Sequence, residues 1–229
     1  MLEVKNWKVY DLRESIISCR NAMRTDMPEY TDDEFEKGLE RAKKLVKANK
    51  NKDGITCHAN FRTGIRVSFD LKYTQYITKQ LQRYHWFDYV SSSSLMHKIT
   101  KMDFSKCCNK YVDQSSIDLM NELIAEYNEI SENAPIRSLF GEMAATDVAE
   151  ILYAEAVTKH KQEVYEAFMR VISNCPMGCE LFVRVSTNYE QLATIYRQRR
   201  NHKLKEDWGA FIEFIKQLPY ADELIIGNF

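Results

Sequence analysis

Hydrophobic residues near the start of the chain, Leu2, Val4, Trp7 and Val9, alternate loosely with polar ones and predict a strand. Residues 12–23 then place Ile16, Ile17, Cys19 and Met23 on one side, the pattern of a first helix. Thr31-Asp32-Asp33-Glu34 is a capping box, and Phe35, Leu39, Ala42, Leu45 and Val46 recur at helical spacing, so 32–48 reads as an amphipathic helix. Asn49 to Gly54 reads as a turn. Strict alternation over 65–71, Ile-Arg-Val-Ser-Phe-Asp-Leu, predicts a half-buried strand feeding a helix over 74–84. Ile117, Met120, Leu123, Ile124 and Tyr127 form the stripe of a helix over 115–130. A longer helical stretch covers 146–173, with Lys159-His160-Lys161 as the place where a break would fall, and it ends at the Cys175-Pro176 turn. Leu181, Val183 and Val185 give another strand. Asn188 caps a helix carrying Leu192, Ile195, Tyr196 and Arg199, and a last helix runs over 205–218.

Strands and helices in this mixed order predict an α+β fold, an antiparallel or mixed sheet packed with several helices. No repeat, low-complexity segment or Pro/Gly/Ser-rich linker divides the 229 residues, so 1–229 is expected to be a single domain with a substantial core.

Charge changes the picture by what it excludes. Lys and Arg number 32 against 33 Asp and Glu, a formal charge of −1, so no global field draws the chain to nucleic acid or an anionic membrane. Anion binding must be local. No apolar run approaches the roughly 18 residues of a membrane span, and the first residues lack a signal-peptide core, so the expected location is the cytoplasm. Cys19, Cys57, Cys107, Cys108, Cys175 and Cys179 then read as reduced thiols. Zinc is disfavoured for the two clusters, because neither has the usual two-residue gap and adjacent cysteines rarely reach one tetrahedral ion, so no metal is expected. The plain reading is small, partly buried side chains flanking turns.

Among catalytic frames, Gly-x-Ser-x-Gly is missing around Ser91 to Ser94, and no glycine-rich phosphate loop of the Walker or Rossmann kind occurs. Phosphates would have to be held by side chains and helix ends. Arg83-Tyr84-His85 followed by the run Ser91 to Ser94 offers cations, rings and hydroxyls for such a ligand. The bland alternative for Arg83 and His85 is a helix C-terminus whose carbonyls attract cations, and for His58 a solvated loop. Arg197, Arg199, Arg200, His202, Lys203 and Lys205 are compatible with a solvated basic face or an RNA contact, although no RNA-module signature accompanies them.

In joint spacing these residues resemble the flavin-dependent thymidylate synthases. That family's Arg-His-Arg, seven residues, then Ser has the frame of Arg83-Tyr84-His85, seven residues, then Ser93. His58 stands 25 residues before Arg83, as the family's upstream histidine does, and Gln80 matches a family glutamine. Asn188, Leu192, Arg199 eleven residues after Asn188, and His202 follow its C-terminal helix. The resemblance implies an α+β homotetramer that uses FAD, with NADPH and methylenetetrahydrofolate as co-substrates, to methylate the pyrimidine nucleotide dUMP reductively. It implies that His58, Arg83, Tyr84, His85, Thr194 and His202 contact the cofactor. Gln80, Ser91, Ser93 and Arg199 would bind the substrate, with Ser93 and Arg199 in catalytic roles and Ser93 acting as a polarising hydroxyl.

The departures from the family pattern are local. Tyr84 replaces the motif histidine, His85 its second arginine, Ser91 a glutamate, Leu95 an arginine and Thr194 an asparagine. Two lost guanidiniums remove phosphate contacts worth about 1.5–3 kcal/mol each. Lys79, Lys98 and Lys101 are candidate replacement cations. The alternative expectation is a catalytically altered nucleotide-binding protein on the same scaffold.

Overall fold

A computed structural model describes residues 2–48, 58–136 and 147–227. The turn read at 49–54, Cys57 and Thr146 lie outside the described residues. The architecture is α+β with a four-stranded antiparallel sheet, as the sequence predicts. The chain separates into two compact units, Met1–Ser93 with Phe182–Phe229, and Ser94–Leu181.

The first unit holds the sheet, in the order β1-β2-β4-β3, with β1 Glu3–Tyr10, β2 Arg66–Thr74, β3 Asp88–Ser92 and β4 Glu180–Asn188. β1 pairs antiparallel with β2, from Glu3 opposite Lys72 to Tyr10 opposite Arg66, with an irregularity between Lys5 and Lys8. β3 pairs antiparallel with β4, Tyr89 opposite Val185 and Ser91 opposite Arg184. Alternation puts Val67, Phe69, Leu71, Val183 and Val185 inside while Ser68, Asp70, Arg184 and Ser186 face outward.

Helices cover the inner face. α1 (Leu12–Ser18) and α2 (Asp32–Ala48) come first, then the one-turn helices α3 (Phe61–Gly64) and α4 (Thr78–Leu81). α1 stops short of the predicted Met23, which is exposed, and a 3₁₀ turn at Asn21–Met23 replaces its end. Residues 74–84 likewise do not form one helix. β2 continues to Thr74 because Tyr73 and Thr74 are buried, and a 3₁₀ turn and α4 follow.

The helix following β4 (Tyr189–Arg199) and the last one (Lys205–Lys216) complete this core, and a π-helical turn at Asp222–Ile226 closes the described chain. Phe69 of β2 meets Phe211 and Phe214 of the last helix with ring centroids 5.8 and 5.0 Å apart. Arg62 is buried against Glu190, and its other terminal nitrogen donates to the Leu224 carbonyl at 3.2 Å, which fixes the π-helical turn to α3.

The second unit is inserted between β3 and β4. It contains α5 (Leu95–Lys98), α6 (Phe104–Cys107), α7 (Gln114–Glu132) and α8 (Asp147–Asn174). α8 runs unbroken through Lys159-His160-Lys161, whose polar side chains stay on a solvated face, and Lys159 reaches Glu163 one turn on. Ile117, Met120, Leu123 and Ile124 of α7 pack with Ile99, Phe104, Val171 and Cys179. We number the helices after β4 as α9 (Tyr189–Arg199) and α10 (Lys205–Lys216).

Candidate functional site

Asn188 leaves β4 in an extended conformation, and its side-chain oxygen accepts the Gln191 backbone N–H at 2.8 Å, capping α9. Gln191 is in turn buried, and its side-chain Oε1 accepts the Trp86 backbone N–H at 3.2 Å. Thr187 donates its hydroxyl to the Trp86 carbonyl at 2.6 Å. The start of α9 therefore grips the segment that follows Tyr84 and His85.

At the start of α10, buried Asp207 accepts from the Leu2 backbone N–H (3.1 Å) and the Tyr76 hydroxyl (2.6 Å). This anchors the helix and sets the neighbouring Trp208 wholly inside. The Trp208 indole N–H donates to Gln80 Oε1 at 3.1 Å. Its ring faces Tyr84 edge-on at 6.4 Å and His202 at 6.1 Å. Arg199, near the end of α9, donates from Nε to the Tyr84 hydroxyl at 2.7 Å. Its guanidinium carbon stands 4.7 Å from the Trp208 ring centroid, a cation–π arrangement.

Four residues singled out from the sequence, Gln80, Tyr84, Arg199 and His202, thus gather around Trp208. Sequence reasoning missed this tryptophan. Its signal was the apolar stripe Trp208, Phe211, Ile212 and Ile215 of the last helix, which reads as ordinary core. Burial raises the Tyr84 phenol, opposed by the Arg199 hydrogen bond. His202 is held below its usual value by desolvation and by the Arg199 and Lys203 charges, and its Nδ1 accepts the Leu204 N–H at 3.2 Å.

The other predicted residues lie in different settings. Arg83 and His85 are exposed on either side of buried Tyr84, and His85 stacks edge-on with Trp86 at 5.4 Å. His58 is exposed ahead of α3. Thr194 accepts from Arg197 at 3.3 Å. Ser93 follows β3, and its backbone N–H donates to the Phe182 carbonyl at 2.8 Å while its hydroxyl accepts the Phe182 N–H at 3.1 Å. Ser91 lies on the outward sheet face, in a cleft of about 440 Å³ shared with Phe182, Asp70 and Arg184. There Asn6 and Arg184 hold the Asp70 carboxyl below the usual range. Within one chain, the hydrogen bonds join Arg199 to Tyr84 and Ser93 to Phe182.

Arg83, His85 and His58 each present their side chains to solvent. Tyr84 does not offer a free stacking face, since Phe87, Trp208 and Arg199 surround its ring. Among the described residues, no group of three or more His, Cys, Asp or Glu side chains is arranged to hold a metal ion.

No family model and no curated protein sequence matches the chain. Solved structures do. A structure of the flavin-dependent thymidylate synthase ThyX from Helicobacter pylori, complexed with FAD and dUMP, aligns with 99% of this chain and 98% of its own, at 14% identity and a TM-score of 0.54. A second structure of that enzyme with FAD and dUMP aligns with 100% of this chain and 98% of its own, at 14% identity and a TM-score of 0.49. At this identity the likeness is one of fold, and it extends over the whole chain.

Proposed function

We propose that this chain binds FAD and a pyrimidine nucleotide and, as a flavin-dependent thymidylate synthase-like enzyme, methylates dUMP reductively. The observation that carries the reading is the meeting of two distant motif segments, 80–85 and 199–202, around Trp208 on a scaffold similar to a solved thymidylate synthase. FAD, when bound, supplies the reducing equivalent for the transferred carbon, with NADPH and methylenetetrahydrofolate as the remaining co-substrates. Arg83, His85 and His58 would hold the cofactor's diphosphate by charge-assisted hydrogen bonds, with Thr194 and His202 beside it. Ser91, Ser93 and Gln80 would orient the nucleotide, and Arg199 would face its anionic form. Assembly as a homotetramer would allow Ser93 of one copy to meet Arg199 of another, and we place the protein in the cytoplasm.

The test is direct. The purified protein is expected to be yellow, or to develop a shifted flavin spectrum on titration with FAD. A colourless protein that leaves the FAD spectrum unchanged at high micromolar cofactor removes the enzymatic reading.

One observation favours a second reading, a nucleotide-binding protein without turnover. Tyr84, which replaces a histidine of the family motif, engages the Arg199 Nε that a nucleotide would otherwise use. This reading expects dUMP or a related nucleotide to raise the melting temperature, by about 2.7 kcal/mol of added stability at a hundred times the dissociation constant, with no flavin uptake. Flat melting curves across a pyrimidine nucleotide panel reject it.

A further inference from the structure

Four cysteines meet in the Ser94–Leu181 unit. Cys107 ends α6 and Cys108 follows it, while Cys175 and Cys179 flank the turn between α8 and β4. Cys108 and Cys179 face each other across an isolated antiparallel bridge, and the Asn109 N–H donates to the Gly178 carbonyl at 3.0 Å. That bond joins the residue after Cys108 to the residue before Cys179, so the pair occupies the narrower, non-hydrogen-bonded kind of cross-strand position. The Cys175 thiol donates to the Pro176 carbonyl at 3.9 Å, the Cys179 thiol to the Glu180 carbonyl at 4.0 Å and the Cys107 thiol to the Asp103 carbonyl at 3.2 Å. Cys179 N–H donates to the Pro176 carbonyl at 2.9 Å, a tight turn that draws the ends of the 175–179 segment together. None of these four residues is in a disulfide.

The four sulfurs are not equivalent. Cys179 has no exposed surface, whereas Cys175 is partly open. The interaction between the two thiols holds Cys175 below its usual range against the effect of burial, and together with burial it pushes Cys179 up. Burial pushes Cys107 and Cys108 up to about 12. Of this pair, Cys175 is therefore the sulfur that a small solute reaches first, and Cys179 the enclosed one.

We propose that Cys175 and Cys179 form a dithiol site whose substrate is a peroxide, with Cys175 as the attacking sulfur and Cys179 as the resolving one. The Cys175 thiolate attacks one peroxide oxygen, the O–O bond breaks, and hydroxide leaves to take a proton from solvent as water. The Cys175 sulfenic acid so formed is attacked by Cys179 sulfur, which releases its proton; the S–O bond breaks, a second water leaves and the S–S bond forms. Two thiols lose two electrons and one peroxide becomes two waters.

The test uses the full native chain and one equivalent of hydrogen peroxide, followed by alkylation and tryptic mapping without reductant. Cleavage after Arg170 and Arg184 yields a peptide, 171–184, containing both Cys175 and Cys179, and cleavage after Lys106 and Lys110 isolates Cys107 and Cys108. The 171–184 peptide is expected to be lighter by two hydrogens and to escape alkylation, with the 107–110 peptide alkylated at both sulfurs. Oxidation of Met177 adds an oxygen and is distinguished by mass. Cys179→Ser should stop at a sulfenic acid on Cys175 that dimedone captures, and Cys175→Ser should slow peroxide-dependent thiol loss roughly tenfold or more. Full alkylation of both sulfurs after peroxide overturns the proposal. So does a first disulfide that includes Cys107 or Cys108, an equal rate in the urea-unfolded chain, or stoichiometric zinc that peroxide releases.

Discussion

Arg199 is the residue on which the candidate site turns, because its guanidinium is shared between a phenol oxygen and an indole face. Tyr84→Phe removes one bond to a charged donor in a partly buried setting and is expected to cost about 1 kcal/mol in urea denaturation. His202 reports the same charge from the other side. Its folded pKa lies below the ordinary 6.5, so the unfolded chain binds the proton more readily than the native one. The contribution of this histidine to stability is accordingly complete above that ordinary value and declines as pH falls through it toward the lower folded value. Titration followed by NMR should place His202 below 6.5, and Arg199→Gln should move it back upward. An unmoved His202 would mean that desolvation and the Lys203 charge, without Arg199, set its value.

Elements differ in how far their cause is local. Helix α2 was legible because its capping box and apolar stripe lie within the element, α7 from its apolar stripe alone, and α9 from the Asn188 cap and its own apolar residues. Asn188→Ala should destabilise the fold by about 1 kcal/mol as the α9 cap is lost, read from the denaturation midpoint. Gly38 of α2 sits where a Cβ would stand 2.7 Å from the Ile16 carbonyl oxygen of α1, and backbone cannot yield as a side chain can. Gly38→Ala is therefore expected to cost about 1–3 kcal/mol.

The elements that escaped sequence reading depend on distant partners. β3 has only five residues, and its inward-facing Tyr89 and the neighbouring Phe87 find Tyr73, Phe69 and Phe211 elsewhere in the chain. Over 74–84, Ile77, Leu81 and Tyr84 recur at helical spacing, yet each is buried by tertiary packing rather than on one continuous helix. Spacing did point to a meeting of two distant segments, and residues 80–85 and 188–202 do converge. What spacing could not show is that Tyr84 turns inward onto Trp208, or that Ser91 takes the outer face of the sheet, because both depend on which strand neighbours which.

At the scale of the whole molecule, no helix among the described residues is long and apolar enough to cross a membrane. The basic stretch at 197–205 is not a uniform face, because Arg199 turns onto Tyr84 and Trp208 while Arg200 is exposed. A salt-insensitive or undetectable affinity for RNA is the expected outcome of a binding titration. The strand order carries a consequence for synthesis. β2 lies between β1 and β4, and β4 is translated only after the entire inserted unit has emerged. A nascent chain that ends at Ser93 has β2 without one neighbour and β3 without its pairing strand, so Val67, Phe69 and Leu71 lack their lid from α10 and solvent reaches them. A fragment of residues 1–93 should accordingly aggregate or give an undispersed amide spectrum. During translation the early strands must wait, sheltered or unfolded, until the ribosome has delivered β4, α9 and α10.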